Sequence, residues 1–187
     1  KDGRATVVRP AGPGDLDPLL SFFSNLPEED RMHLRVDVTD REVMKRRMLP
    51  QAHWTTVRLI GTFGDQIIAE ASIARRNYGF DSHIGEIRIL IAENFRSTGL
   101  AGYLGRQMIA HSIVMDLEKV EAHMMEDDIH AVRLAERIGF EREGVLKNFV
   151  KDIKGNYHDL LMERKDNPFT EEQIRGQEQK ETDDVAT

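Results

Sequence analysis

The chain has 187 residues, 40% of them apolar and 32% charged; that is long enough for one domain with a sizeable core and too apolar for a disordered chain. A net charge of -7 argues against a general nucleic-acid or anionic-membrane binder, since both need basic faces. The absence of cysteine excludes a disulfide framework, a thiolate metal site and a cysteine nucleophile, and it suits a reducing cytosol.

Apolar runs are too short to span a bilayer, and none reads as a signal peptide. A chain opening on Lys1 is expected to be trimmed or part of a longer protein. In chain order, "RATVVRP" (4–10) predicts a first strand. "PGDLDPLLSFFSNL" (13–26) predicts a helix started by Asp15 or Asp17. "PEEDRMHLR" and "DREVMKRRML" predict two short helices starting at Pro27 and Asp40. Residues 55–76 predict a hairpin turning at Gly64-Asp65. "SHIGEIRILIAE" is a further strand. Residues 99–118 predict a helix with apolar residues at 100, 104, 108, 109, 113 and 117.

"KVEAHMM" predicts a short strand. Residues 127–140 predict a helix capped by Asp127 or Asp128. Its stripe is Ala131, Leu134, Ala135 and Ile138, and Gly139 is its left-handed end. Two strands joined around Lys154-Gly155-Asn156 close the order, and from Asn167 the sequence reads as a polar, flexible tail. The pattern is an α+β domain over 1–166, with a mixed sheet of about seven strands, helices on both faces and a tail over 167–187.

"AENFRSTGLAGYLG" (92–105) joins an apolar strand to a helix through small residues. The first N–H groups of a helix lack intrahelical acceptors, and the helix dipole adds positive potential there. Gly99 permits unusual backbone angles and leaves no Cβ in the way, while Ala101 and Gly102 keep the first turn thin. Ser97 and Thr98 add hydroxyls, and Arg96 adds a cation. The stretch reads as a phosphate cradle, or as a helix that merely begins at glycine. It is neither a Walker loop nor a dinucleotide fingerprint.

Arg96-Ser97-Thr98-Gly99-Leu100-Ala101 resembles the R/Q-x-x-G-x-G/A block of the GNAT superfamily of acyl-CoA-dependent N-acyltransferases. Residues 128–140 resemble its second block, N-x-x-A-x-x-L-Y-x-x-x-G-F. The resemblance extends to the element order over 4–164, and Glu86 lies at an offset similar to the catalytic glutamate of bacterial protein lysine acetyltransferases. It implies acetyl-CoA as co-substrate and no metal. Arg96, Ser97, Thr98, Gly99, Leu100 and Ala101 would hold the pyrophosphate. Leu90, Ile91 and Asp128 would meet the pantetheine arm, and Arg133 would reach the adenosine phosphate. Thr98 stands where a basic residue is common, and Ala135 where many relatives carry a tyrosine that protonates the leaving thiolate.

An amine with a pKa of about 10.4 arrives protonated and needs a base. Glu86 is the candidate, sharing a strand face with Arg88 and Leu90, while Ile87, Ile89 and Ile91 share the other. A structural Glu86–Arg88 ion pair is the competing reading; Arg88 also reads as a substrate-carboxylate ligand. Asp128 equally reads as a helix cap and Arg133 as an exposed helix residue. His123, Glu126 and His130 are close in sequence but match no zinc pattern. Tyr103, Tyr78, Tyr157 and His158 are weaker candidates.

The expected activity is a cytoplasmic N-acetyltransferase with direct transfer to a protein lysine or small amine, and no nucleic-acid or membrane partner. The alternative is an acetyl-CoA-binding regulatory or sensor module with little turnover, within a longer protein.

Overall fold

A computed structural model describes residues 5–32, 34 and 36–168. Strand β1 (Val7–Pro10) precedes a 3-10 turn (Pro13–Asp15) and helices α1 (Leu16–Ser24), α2 (Glu28–Met32) and α3 (Arg41–Met48). Strands β2 (Trp54–Phe63), β3 (Gln66–Arg76) and β4 (Ile84–Ile91) lead into α4 (Leu100–Val114). Then follow β5 (Lys119–Met125), α5 (Ile129–Arg137), β6 (Glu141–Lys151) and β7 (Tyr157–Asp166). The predicted element order is therefore observed, including the hairpin turn, where Gly64 has φ 57°.

Asp15 stands at the N-cap of α1, as expected, but its side chain makes no bond to that helix. Its carboxylate instead accepts from the Gly12 N–H at 2.7 Å and pairs with Arg9 at 2.7 Å. Asp40 caps α3 as expected, accepting from the N–H groups of Glu42 and Val43. Helix α4 is shorter than predicted: Gly99 is its left-handed N-cap, and left-handed Asp116 (φ 55°) lies just past its end. Asn167 belongs to the folded part and not to the tail. It is buried, and its Nδ2 donates to Ser112 Oγ at 2.7 Å and to the Leu117 carbonyl at 2.8 Å. Most of the expected tail, 169–187, lies outside the described residues.

The strands form one sheet in the order β1-β2-β3-β4-β5-β7-β6. All neighbours are antiparallel except β4 and β5. Strand alternation separates two cores. One gathers Ala69, Ala71, Ile73, Ile87, Val120 and Ala122 beneath α4 and α5. The other gathers Ile60 and Ile67 beneath α1 and α3, through Leu19, Phe22, Phe23 and Met44. Gly105 lets α4 sit this close: an added Cβ would lie 2.7 Å from Ile138 Cδ1 and 3.4 Å from Ile89 Cδ1.

Candidate active site

The parallel pairing of β4 with β5 is short. It covers Ile84↔Lys119, Gly85↔Val120 and Glu86↔Glu121, then stops. Beyond Glu86 each strand keeps its outer partner, β3 or β7, and a wedge opens between them. The Ala92 N–H bonds to the Ile68 carbonyl on the β3 side at 2.8 Å. Antiparallel alternation therefore turns the main-chain groups of Ile89 and Ile91 toward the wedge, and those of Leu90 toward β3.

Glu86 sits at the wedge's apex, its side chain 20% exposed. Arg88 donates to its Oε1 through Nη2 at 2.6 Å and Nε at 3.2 Å. The expected sharing of a face is seen: Ile87, Ile89 and Ile91 pack on the α4 side, while Leu90 packs with the other core. Sequence reasoning missed the neighbours that β5 contributes. Val120, Ala122 and Met124 face the α4 core, so Glu121 and His123 face the opposite side with Glu86. His123 Nδ1 is 3.9 Å from Glu86 Oε1, and its Nε2 is 3.4 Å from Glu121 Oε2. The period-two pattern of "KVEAHMM" was the available signal, but it does not say which strand lies alongside.

At the wedge's open end, Ser97 and Gly99 take left-handed angles (φ 61° and 94°) and turn the chain into α4. An added Cβ at Gly99 would meet nothing within 4 Å, so the helix N-terminus is open to approach there. The N–H groups of Leu100, Ala101 and Gly102 precede the first intrahelical bond, Tyr103 N–H to the Gly99 carbonyl at 3.1 Å. The Thr98 hydroxyl donates to the Phe95 carbonyl at 2.8 Å and so braces the loop. Arg96 pairs with Asp30 of α2, and its Nε points at the Ile91 carbonyl at 3.4 Å.

Asp128 caps α5, accepting from the Ala131 N–H at 3.0 Å. Arg133 is exposed on the same helix. Ala135 is buried in the α4-side core, so a methyl group fills the position where a phenol was weighed. The weaker candidates disperse. Tyr103 is half exposed on the first turn of α4, Tyr78 is almost wholly exposed, and Tyr157 stacks under Lys151. His158 bridges Asp127 at 2.7 Å and Asp152 at 3.3 Å; these two contacts, Asp127 first, hold its pKa above the ordinary value. His123, Glu126 and His130 are not gathered together. Glu126 pairs with Arg142 and Lys147, and His130 is exposed on α5.

The described helices include none long and apolar enough to cross a membrane. No curated protein matches the chain. Among solved structures, an acetyltransferase of the GNAT family from Streptococcus pneumoniae matches with a TM-score of 0.75 at 18% identity, covering 87% of this chain and all of that one. The ribosomal-protein-alanine N-acetyltransferase of Brucella melitensis matches with a TM-score of 0.68 at 22% identity, over 86% and 99% of the two chains. The yncA protein of Salmonella typhimurium, solved with its cofactor acetyl-CoA, matches with a TM-score of 0.71 at 15% identity, over 89% and 96%. At these identities the likeness is one of fold. The family model for the acetyltransferase (GNAT) family matches residues 22–140, more than half of the sequence, and the chain belongs to that family of acetyltransferases.

Proposed function

We propose that this chain is an acetyl-CoA-dependent N-acetyltransferase acting on a primary amine, a protein lysine or a small molecule, with Glu86 as general base. The observation that carries the reading is the end of β4–β5 pairing at Glu86, which leaves its carboxylate at the apex of an open wedge. The residues present fit the co-substrate. The open N-terminus of α4 suits a pyrophosphate, held by the Arg96–Ala101 loop. The amide edge of Ile89 and Ile91, with Leu90 between them, suits the amide-bearing pantetheine arm, and Asp128 and Arg133 of α5 would be its further contacts.

Acetyl-CoA supplies the acetyl group as a thioester. Glu86 takes one proton of the incoming ammonium, directly or through one water; as the nitrogen bonds the acetyl carbon and the thioester C–S bond breaks, CoA would leave as its thiolate and take up the nitrogen's second proton. Arg88 fixes the rotamer of Glu86 by two hydrogen bonds to one oxygen. Buried Ala135 supplies no proton, and this favours a second reading, an acetyl-CoA sensor with little turnover. The cysteine-free composition supports a cytoplasmic setting.

The test is to follow free thiol release from acetyl-CoA with a panel of amines, alongside thermal melting with acetyl-CoA alone. Thiol release dependent on an amine is expected. Melting stabilised by acetyl-CoA with no thiol release from any amine would favour the sensor. No stabilisation and no release would contradict both readings.

A further inference from the structure

A second concavity lies on the Glu86 face of the sheet, under the end of α3. It has a volume of about 290 Å³, and its walls include Arg47, Met48, Trp54, Thr55, Thr56 and Arg58. Two of these are cations, and of the two only Arg58 has an ion-pair partner among the described residues. Arg58 donates to Glu70 Oε1 at 2.7 Å, with both side chains under 10% exposed. Arg47 has a buried Nε without a hydrogen-bond partner among the described residues, and no described carboxylate lies within ion-pair distance of it. Burial, and then repulsion from Arg58 and Arg88 that outlasts the attraction of Glu70, hold its pKa below the ordinary arginine value. Arginine stays charged nonetheless. A half-buried guanidinium in a cavity of this volume, beside a neutralised pair, is a site that gains from an anion.

The cavity aligns with the proposed base. Thr56 pairs with Ala74, and Ala74 pairs with Glu86, so the three lie on one line across β2, β3 and β4. One line further on lie Arg58, Ser72 and Arg88. Register partners share a face, and two strand spacings separate Thr56 from Glu86 by about 10 Å. On β3, the strand between them, the residues in these two lines are the small Ala74 and Ser72, which keep the sheet surface low there.

We infer that the Arg47 cavity is the acceptor's carboxylate subsite, so that the acceptor is an amine joined by a short spacer to a carboxylate. This rests on the N-acetyltransferase reading for the identity of the ligand as acceptor. The planar guanidinium of Arg47 presents paired donors to the carboxylate, while the amine reaches Glu86.

The experiment is titration calorimetry on the whole chain, with free CoA present so that no acetyl group is transferred. The probes are ω-amino acids from 3-aminopropanoate to 6-aminohexanoate, each paired with its carboxamide, and phosphoethanolamine. At least one acid is expected to bind about tenfold or more tightly than its amide. Arg47→Met should reduce that acid to the level of its amide, leave amide binding unchanged, and melt no lower than the parent, because it removes a cation without an ion-pair partner among the described residues. Arg47→Lys should keep part of the preference. Equal binding of every acid and amide, or a preference that survives in Arg47→Met, overturns the inference. A preference confined to phosphoethanolamine assigns the cavity to phosphate and overturns the carboxylate assignment. Acid preference without thiol release from any amine leaves the anion site standing and contradicts the transferase reading. Thiol release without acid preference does the reverse.

Discussion

Glu86 and Glu121 stand side by side at the last paired position of β4 and β5, two carboxylates on one face where the sheet begins to part. Like charges directly opposite each other on adjacent strands repel. Here Arg88 bonds to Glu86, and the His123 ring lies within 4 Å of both carboxylates. The wedge therefore opens at a point of concentrated charge, where the Glu86 carboxylate is held by neighbours that a uniform apolar strand would not supply.

The loop before α4 is testable by two substitutions with a shared backbone cost. Gly99 has φ 94°, so Gly99→Ala and Gly99→Glu both force a side-chain residue into the left-handed region, at about 1 kcal/mol. Their Cβ atoms meet open space alike. Acetyl-CoA at a hundredfold over its dissociation constant should stabilise the parent by about 2.7 kcal/mol. Gly99→Ala should keep most of that shift and Gly99→Glu should lose it. Equal shifts in the two variants, read by thermal melting, would remove the phosphate from this loop.

Asp128 serves α5 as a cap, whatever else it does. Asp128→Ala should cost about 1 kcal/mol of stability, whereas Asp128→Asn keeps a capping oxygen and should stay close to the parent. Chemical denaturation of the three proteins checks this. If acetyl-CoA affinity also falls in Asp128→Ala after the stability loss is allowed for, the same residue faces the cofactor.

Glu163 is 2% exposed within β7, and its Oε2 has no hydrogen-bond partner among the described residues. Burial first, and then the charge of Glu136, push its pKa up. A carboxyl with a raised folded-state pKa favours the fold fully below its unfolded value of about 4.3, and this contribution is lost as pH rises through the folded value. Glu163→Gln should flatten the parent's loss of melting temperature across that range and gain on it at neutral pH. Parallel melting curves against pH for the two proteins would show that the carboxyl is already satisfied.

Much of the fold was legible because local chemistry marks its punctuation. Gly64-Asp65 marks the β2–β3 turn, Asp40 and Asp128 mark helix starts, and Gly139 (φ 93°) follows α5 as its left-handed stop. The loop at 96–101 was legible as motif, although Arg96 turns its guanidinium to Asp30 and Thr98 spends its hydroxyl on Phe95. Long-range facts were not legible. Periodicity shows that "IGEIRILI" and "KVEAHMM" are strands, but not that their pairing lasts three residues, so His123 could not be set beside Glu86. Nor does any local pattern reveal that Arg58 finds Glu70 while the buried Nε of Arg47 has no hydrogen-bond partner among the described residues. Asp15 stands at the N-cap as its residue type suggests, but that type does not tell that its carboxylate goes to Arg9 and the Gly12 N–H.

The most direct test of the account is the turnover of Glu86→Gln across pH, with a reactive amine and saturating acetyl-CoA. The substitution keeps the size of the side chain and an acceptor oxygen for Arg88, and it removes the base. Turnover should fall by about a hundredfold to ten-thousandfold near neutral pH. The deficit should shrink at high pH, where more amine arrives neutral, and the stabilisation by acetyl-CoA should be unchanged. A stable Glu86→Gln protein that turns over at the parent's rate would contradict the account.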